Sequence, residues 1–496
     1  MRMRTQISVG SGRGRDRVRI RAGCGAVALA AGLPVASVVA QQAIDVSDDG
    51  MVWATPGGVD GAGPQADGVL YRATPDWQVN LRRQVGALVI ADLNNDGKND
   101  LFVGCYTSAS QPPYPDWHDM IFFNTGSGFA DTPGWISADH IHTGDAQVGD
   151  VNGDGIPDVV AISGGTALSP VRAYYGHAGA GSMPSTSPDW ISTPPRTGWP
   201  TSGLLFDIDA DGDLDLVTTN QGVSPDPFRP MYFFRNSAVQ GGPGLETSPS
   251  WQSAESSIQN GLAAADIDGD QDLDLAVAKW VNFQTGIYRN AGGTLETTPA
   301  WTTGDSGTDK GVAFADVDGN GWQDLAVGHD EPSRLYSNTD GVFSLTWEAE
   351  APFFGQQDVR FADVDRDGDM DYAEVHFGDG RTHLYLNRSG TLDVPPSWTY
   401  DAVEVGTALA FGDINGDGWT DMAIGYSGNV CVRVFLAVPP ECRADFNGDS
   451  VVDFFDYLDF AAAFDAEAAA ADFNGDAVVD FFDYLDFVAA FDVGCE

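Results

Sequence analysis

Seven nine-residue segments carry Asp or Asn at positions 1, 3, 5 and 9. They are Asp92, Asn94, Asp96 and Asp100; Asp150, Asn152, Asp154 and Asp158; Asp207, Asp209, Asp211 and Asp215; and Asp266, Asp268, Asp270 and Asp274. Three more follow: Asp316, Asp318, Asn320 and Asp324; Asp363, Asp365, Asp367 and Asp371; and Asp413, Asn415, Asp417 and Asp421. Side-chain oxygens at that spacing can converge on one cation, with the position-7 carbonyl as a further ligand. An all-oxygen set suits a hard ion, and so many ligands on a flexible loop favour Ca²⁺ over Mg²⁺. Position 6 is Gly in six copies, which permits a sharp reversal; Gln271 replaces it in the fourth, where a weaker site is expected. Position 12 is apolar at Val103 and Val327, and a strand rather than a helix follows, so these loops do not read as EF-hands.

Two loops near the C-terminus follow a different rule. Asp445, Asn447, Asp449, Asp453 and Asp456 recur 27 residues later as Asp472, Asn474, Asp476, Asp480 and Asp483. Here position 12 is acidic, and YLDFAAAF or YLDFVAAF follows with apolar residues at helical spacing. This pair resembles a dockerin, two calcium loops each feeding a helix, over residues 442–496. The resemblance implies a small α-helical, EF-hand-like module that attaches to a cohesin-like partner. Two departures stand out. Ser450 and Ala477 hold the position-6 place of Gly, and Phe454, Phe455, Phe481 and Phe482 stand where small polar recognition residues are usual. These phenylalanines are candidates for an exposed docking surface. Cys442 and Cys495 bracket the module and are the favoured disulfide, which leaves Cys105 and Cys431 as a second possible pair.

The seven acidic loops must be held by a repeat. Their starts lie 58, 57, 59, 50, 47 and 50 residues apart, and a tryptophan precedes each: Trp77, Trp135, Trp190, Trp251, Trp301, Trp347 and Trp398. In the fifth copy VAFADV, DLAVG, RLYSN and FSLTWEA read as four short strands separated by turn residues. Such a unit cannot cover its own faces and must stack on its neighbours. The pattern predicts an all-β, seven-bladed β-propeller over residues 69–438. The last copy ends without its tryptophan strand, which residues 68–79 are expected to supply, closing the ring. The unit FADVDGNGWQDLAVG resembles the FG-GAP/VCBS repeat of integrin α-subunit propellers and many secreted bacterial proteins. That resemblance implies structural calcium sites at the loop positions named.

Antiparallel blades put the acidic loops on one face of a disc and the loops between second and third strands on the other. The latter carry Tyr106, Tyr114, Trp117 and His118; Phe228 and Arg229; Lys279, Trp280 and Phe283; His329, Asp330 and Arg334; and His376, Arg381 and His383. Tyr114, Trp117, His118, Trp280, Phe283, His329, Arg334, His376 and Arg381 are the candidate ligand-binding set, suited to a glycan or an extracellular protein. His140 and His142 put two imidazoles on one strand face, as in a zinc pair, with no third ligand nearby in sequence.

The start of the chain is different material. Seven arginines precede an apolar run from Gly25 to Val39, which reads as a signal peptide over residues 1–40, followed by an extension over 41–68. A secreted protein follows, cell-surface associated through its tail, with no membrane span after cleavage. The net charge of −47 argues against nucleic acid and anionic membranes as partners. HExxH and GxSxG motifs are both absent, so the sequence favours a binding or adhesion module over an enzyme. The alternative is a polysaccharide-degrading lyase or glycoside hydrolase, or an accessory subunit of such a complex.

Overall fold

The computed structural model describes residues 70–438 except 107–117, 127, 164–169, 194–198, 223–227, 239–243, 281–282, 305–306, 330–331, 350–355 and 379. Beyond these it describes residues 444, 446, 452, 454–466, 468, 471, 473, 479 and 481–493. The expected signal peptide, the extension to residue 68, Cys442 and Cys495 lie outside the described residues. No helix among the described residues is long and apolar enough to cross a membrane.

Each repeat begins with an inner strand: Arg83–Ala91, Thr143–Gly149, Trp199–Phe206, Ile258–Ala265, Asp309–Ala315, Gln356–Ala362 and Val405–Gly412. Each inner strand runs into an acidic loop and returns antiparallel as a second strand: Asp100–Tyr106, Asp158–Ser163, Asp215–Gln221, Asp274–Trp280, Asp324–His329, Asp371–His376 and Asp421–Gly428. Second strands such as Asp324–His329 and Asp371–His376 are buried along their whole length, because other sheets cover both faces. The outer strand Val342–Glu348 is mostly exposed and reads as alternating polar residues. All seven inner strands shift register near their start, between Val85 and Ala87 in the first and Gly406 and Ala408 in the last. Such bulges increase twist where strands crowd an axis. A Cβ on Gly86, in the first bulge, would lie 2.1 Å from the Thr143 carbonyl oxygen of the next repeat.

The inner strands contact one another in sequence order, and the last contacts the first. The architecture is an all-β propeller. Seven separate blades are expected from the sequence, whereas hydrogen bonding delimits five four-stranded sheets and one sheet of eight strands. The larger sheet arises because Arg83 and Gln84 pair with Gly428 and Ser427, joining the first repeat to the last. Within it, Trp77–Val79 pairs antiparallel with Val432–Phe435, and Tyr71 bridges Ala437, so the N-terminal segment supplies the outer strand that the last repeat lacks.

The tryptophans of the repeat sit on these outer strands and act as latches. The indole N–H groups of Trp135, Trp190, Trp347 and Trp398 donate to the carbonyls of Pro184, Leu245, Leu392 and Tyr71, at 2.8–3.1 Å. Cys105 and Cys431 are both fully buried free thiols in one core cluster, so the second possible disulfide is not formed. In the C-terminal region, helices Phe454–Asp465 and Phe481–Val493 pack through Phe460 and Phe487, whose rings stack with centroids 3.9 Å apart.

Candidate functional site

The acidic loops share one hydrogen-bond pattern in all seven copies. The first Asp accepts the N–H of position 6 at 2.6–3.1 Å, folding the loop back on itself. The ninth, an Asp buried at the start of the second strand, accepts the N–H of position 2 with one oxygen at 2.8–3.4 Å. Its other oxygen accepts a backbone N–H at or just beyond the end of the third strand at 2.6–2.8 Å. Burial lifts these carboxyls despite the donors, Asp324 to about 6, Asp100 to about 7 and Asp158 to about 8. No basic side chain offsets that cost at all seven sites, so the loops suit an added cation.

Further observations fit such an ion. Three carboxylates converge within 4.8 Å in the third to sixth loops: Asp207, Asp209 and Asp215; Asp266, Asp268 and Asp270; Asp316, Asp318 and Asp324; Asp363, Asp365 and Asp371. The first, second and seventh loops carry Asn at position 3. Asn94 Oδ1, Asp209 Oδ1, Asp268 Oδ1 and Asp363 Oδ1 are shielded from solvent and accept no hydrogen bond. Arg235 and Arg289 engage the other carboxylate oxygens of Asp209 and Asp268, on the outer side of their loops.

Backbone conformation explains the glycines and adds one feature that sequence reasoning missed. Position 6 is left-handed throughout, including Gln271 at φ 72°, where a side chain is strained and Gly is not. Position 4 is also left-handed in every copy, by Gly at four and by Asn95, Ala210 and Arg366 at φ 54–60°. A second missed element is an asparagine at or just after the end of the third strand. The side-chain amides of Asn124, Asn236, Asn290, Asn338 and Asn387 donate to the position-2 carbonyls of Ile414, Val151, Ile208, Ile267 and Val317 in the preceding repeat, at 2.5–3.0 Å. Each such loop is thus gripped from inside by its own ninth residue and from outside by its neighbour. The recurring aromatic-x-Asn triplet, as in FFN, FRN, YRN, YSN and YLN, was the available signal.

At the other end of the strands a cavity of about 710 Å³ opens on the axis, lined by Gln84, Tyr106, Trp280, Lys310 and Phe377 among others. Lys310 Nζ lies 4.9 Å from the Phe377 ring centre. Beneath it, Asp145, Asp358 and Arg360 fill the axis: Arg360 pairs with Asp358 at 2.9 Å, and Asp145 accepts from Ser202 at 2.6 Å.

The expected ligand set divides. Trp280 and Tyr106 reach this cavity, and Phe228 and Phe283 meet edge-on at 5.4 Å. Several others are corrections, because blade packing buries the ends of the second strands. His329 is buried 3.6 Å from Asp309, and Lys279 is buried in a 2.7 Å ion pair with Glu255. His376 and His383 are buried against Glu374. Burial pushes the Glu374 carboxyl up, but contacts with His376, His383 and Ser333 outweigh it and hold it below the ordinary carboxylate range. Arg334 and Arg381 pair with Glu348 and Asp401. His140 and His142 precede a strand rather than sharing its face: His140 meets His118, ring centres 4.1 Å apart, and His142 packs on Tyr106. Tyr114, Trp117 and Asp330 lie outside the described residues.

In the C-terminal region, Phe454, Phe455, Phe481 and Phe482 are all 63–66% exposed, while Phe460 and Phe487 form the core. Asp456 and Asp483 are fully buried, and Asp483 accepts the Phe473 N–H at 2.7 Å. The remaining loop positions there, Asp445, Asn447, Asp449, Asp453, Asp472, Asn474, Asp476 and Asp480, lie outside the described residues.

Comparison with known proteins bears on the repeats. An FG-GAP-like repeat model matches residues 92–161, 150–218, 266–327 and 316–374, and an FG-GAP repeat model matches 405–431. No curated protein matches the chain in sequence. Among solved structures, the chain resembles one described as BBS1N in complex with ARL6DN, soaked with lead, at 13% identity and a TM-score of 0.50, covering 75% of this chain and 97% of that one. The same complex soaked with mercury gives 13% identity and a TM-score of 0.47 over 75% and 96%. At that identity the likeness concerns the fold alone.

Proposed function

Starting from an all-β propeller built of FG-GAP repeats, we propose that this chain is an exported, calcium-dependent binding module whose axial cavity grips a glycan or an extracellular protein. The observation that carries this reading is the cavity itself, at the strand ends opposite the acidic loops, where Trp280, Tyr106 and Phe377 surround polar Gln84 and Lys310. Flat aromatic rings beside amide and ammonium donors suit the apolar faces and hydroxyls of a sugar ring. Calcium in the acidic loops serves rigidity: it replaces carboxylate repulsion by ligation and fixes the ends of all inner strands. The eight-stranded sheet works as two blades joined at one edge, making seven. The C-terminal helices form a dockerin-like calcium module, and the four exposed phenylalanines are its docking surface for a cohesin-like partner.

Glycan-array binding of the chain, with and without calcium, tests the reading. Trp280→Ala is expected to reduce glycan binding up to about tenfold without lowering the melting temperature, since one stacked aromatic contributes about 0.5–1.5 kcal/mol. Undiminished binding by Trp280→Ala would remove the axial cavity from consideration.

A further inference from the structure

We propose that the sixth repeat holds a structural zinc-class site, separate from the acidic loops, formed by Glu374, His376 and His383. Glu374 is the residue that breaks the repeat. Three positions after the closing Asp, the other copies carry Val103, Ala161, Thr218, Val277, Val327 and Ile424; only the sixth carries an acid. Glu374 and His376 lie two apart on strand Asp371–His376 and therefore share a face, and His383 is the direct cross-strand partner of Glu374. All three side chains are at least 97% buried.

The donor atoms already stand at ligand spacing. Glu374 Oε1 lies 3.2 Å from His376 Nε2 and 3.6 Å from His383 Nδ1. One ligand atom from each residue falls within 4.8 Å of the other two. Tetrahedral zinc with bonds near 2.0–2.1 Å needs donors about 3.3–3.4 Å apart. The Tyr385 hydroxyl, 3.2 Å from Glu374 Oε1 and 3.3 Å from His383 Nδ1, stands at the fourth corner. Outer contacts hold the carboxylate in place: Ser333 and Tyr372 hydroxyls donate to Glu374 Oε2 at 2.5 and 3.2 Å. That leaves Oε1 directed at the imidazoles, the usual arrangement around a ligating carboxylate. Two imidazole nitrogens and one carboxylate select zinc over calcium or magnesium, and enclosure without a solvent-facing position fits a structural rather than a catalytic ion. Other acids of the ring, placed just before inner strands, pair with a cation of the protein, as Asp139 does with Arg172, Glu255 with Lys279 and Glu404 with Arg433.

The test is the metal content of the full chain, produced in zinc-supplemented culture and purified in excess calcium so that the acidic loops are occupied. About one equivalent of zinc per chain is expected, falling at least tenfold in the Glu374→Gln and His376→Ala/His383→Ala variants. Protein grown with cobalt gives a readout independent of any variant: four-coordinate cobalt with nitrogen and oxygen ligands absorbs strongly in the visible. Wild-type protein with less than a tenth of an equivalent of zinc, zinc content unchanged in the variants, or a weak octahedral cobalt spectrum overturns the proposal.

Discussion

The two ends of the strands differ in how they are built. At one end the chain repeats a single solution seven times: the same acids, the same two left-handed residues, the same grip of the ninth Asp on positions before and after it. At the other end the repeats diverge. The second strands finish in Cys105, Ser163, Asn220, Lys279, His329, His376 and Tyr426 at equivalent places, and each is absorbed by a different set of neighbours. Repetition at one end fixes the ring, which frees the other end to vary without endangering the fold. Stability and recognition are therefore expected to separate along the strand axis.

Removing the proposed calcium ions is expected to strain that separation most. Chelation is expected to lower the melting temperature by well over 10 °C, because an ion bound only by the folded chain contributes about 2.7 kcal/mol per site at a hundredfold excess over its Kd. Scanning calorimetry with and without EDTA measures it; an unchanged transition would reduce the loops to turns. Next comes Asp324→Ala, which leaves the Val317 and Asn338 N–H groups without their acceptor in a buried place. A loss of about 2–4 kcal/mol in denaturant unfolding is expected, even in calcium-free buffer. Asn338→Ala removes the amide's bonds to Ile267 of the preceding loop and Gln323 of its own and is expected to cost about 1–2 kcal/mol. Calcium titration should then show a weakened fourth site. The smallest effect belongs to Gln271→Gly, which relieves a left-handed glutamine and is expected to stabilise by about 1 kcal/mol and to tighten the fourth loop. If Trp280→Ala proved as destabilising as Asp324→Ala, the division between the two ends would collapse.

What could be read in advance follows the same division. The acidic positions, the tryptophans and the strand supplied by the N-terminus were legible because each recurs or fills a visible gap in a recurrence. Position 4 of the loop escaped notice because Asn95, Ala210 and Arg366 hide a conformation that Gly marks elsewhere. The number of separate sheets was also out of reach, since it turns on two residue pairs between the first and last repeats. Single-copy residues were the least legible. His376 sits in a strand-end segment indistinguishable from a loop contact by sequence, and only the cross-strand register brings His383 beside Glu374. The four tail phenylalanines fall between these cases: helical spacing places Phe460 and Phe487 inside and leaves the Phe-Phe pairs on the outside.

The pairing of Trp77–Val79 with Val432–Phe435 has a consequence in time. Its partners are separated by more than 350 residues, so the strand emerges from the ribosome early and finds its place only after every other repeat has been made. Closing so long a loop is entropically slow, and until it happens the last repeat presents a naked edge. Folding of this ring therefore ends with a strand made before any of the acidic loops, and the completed circle carries no record of which repeat came first.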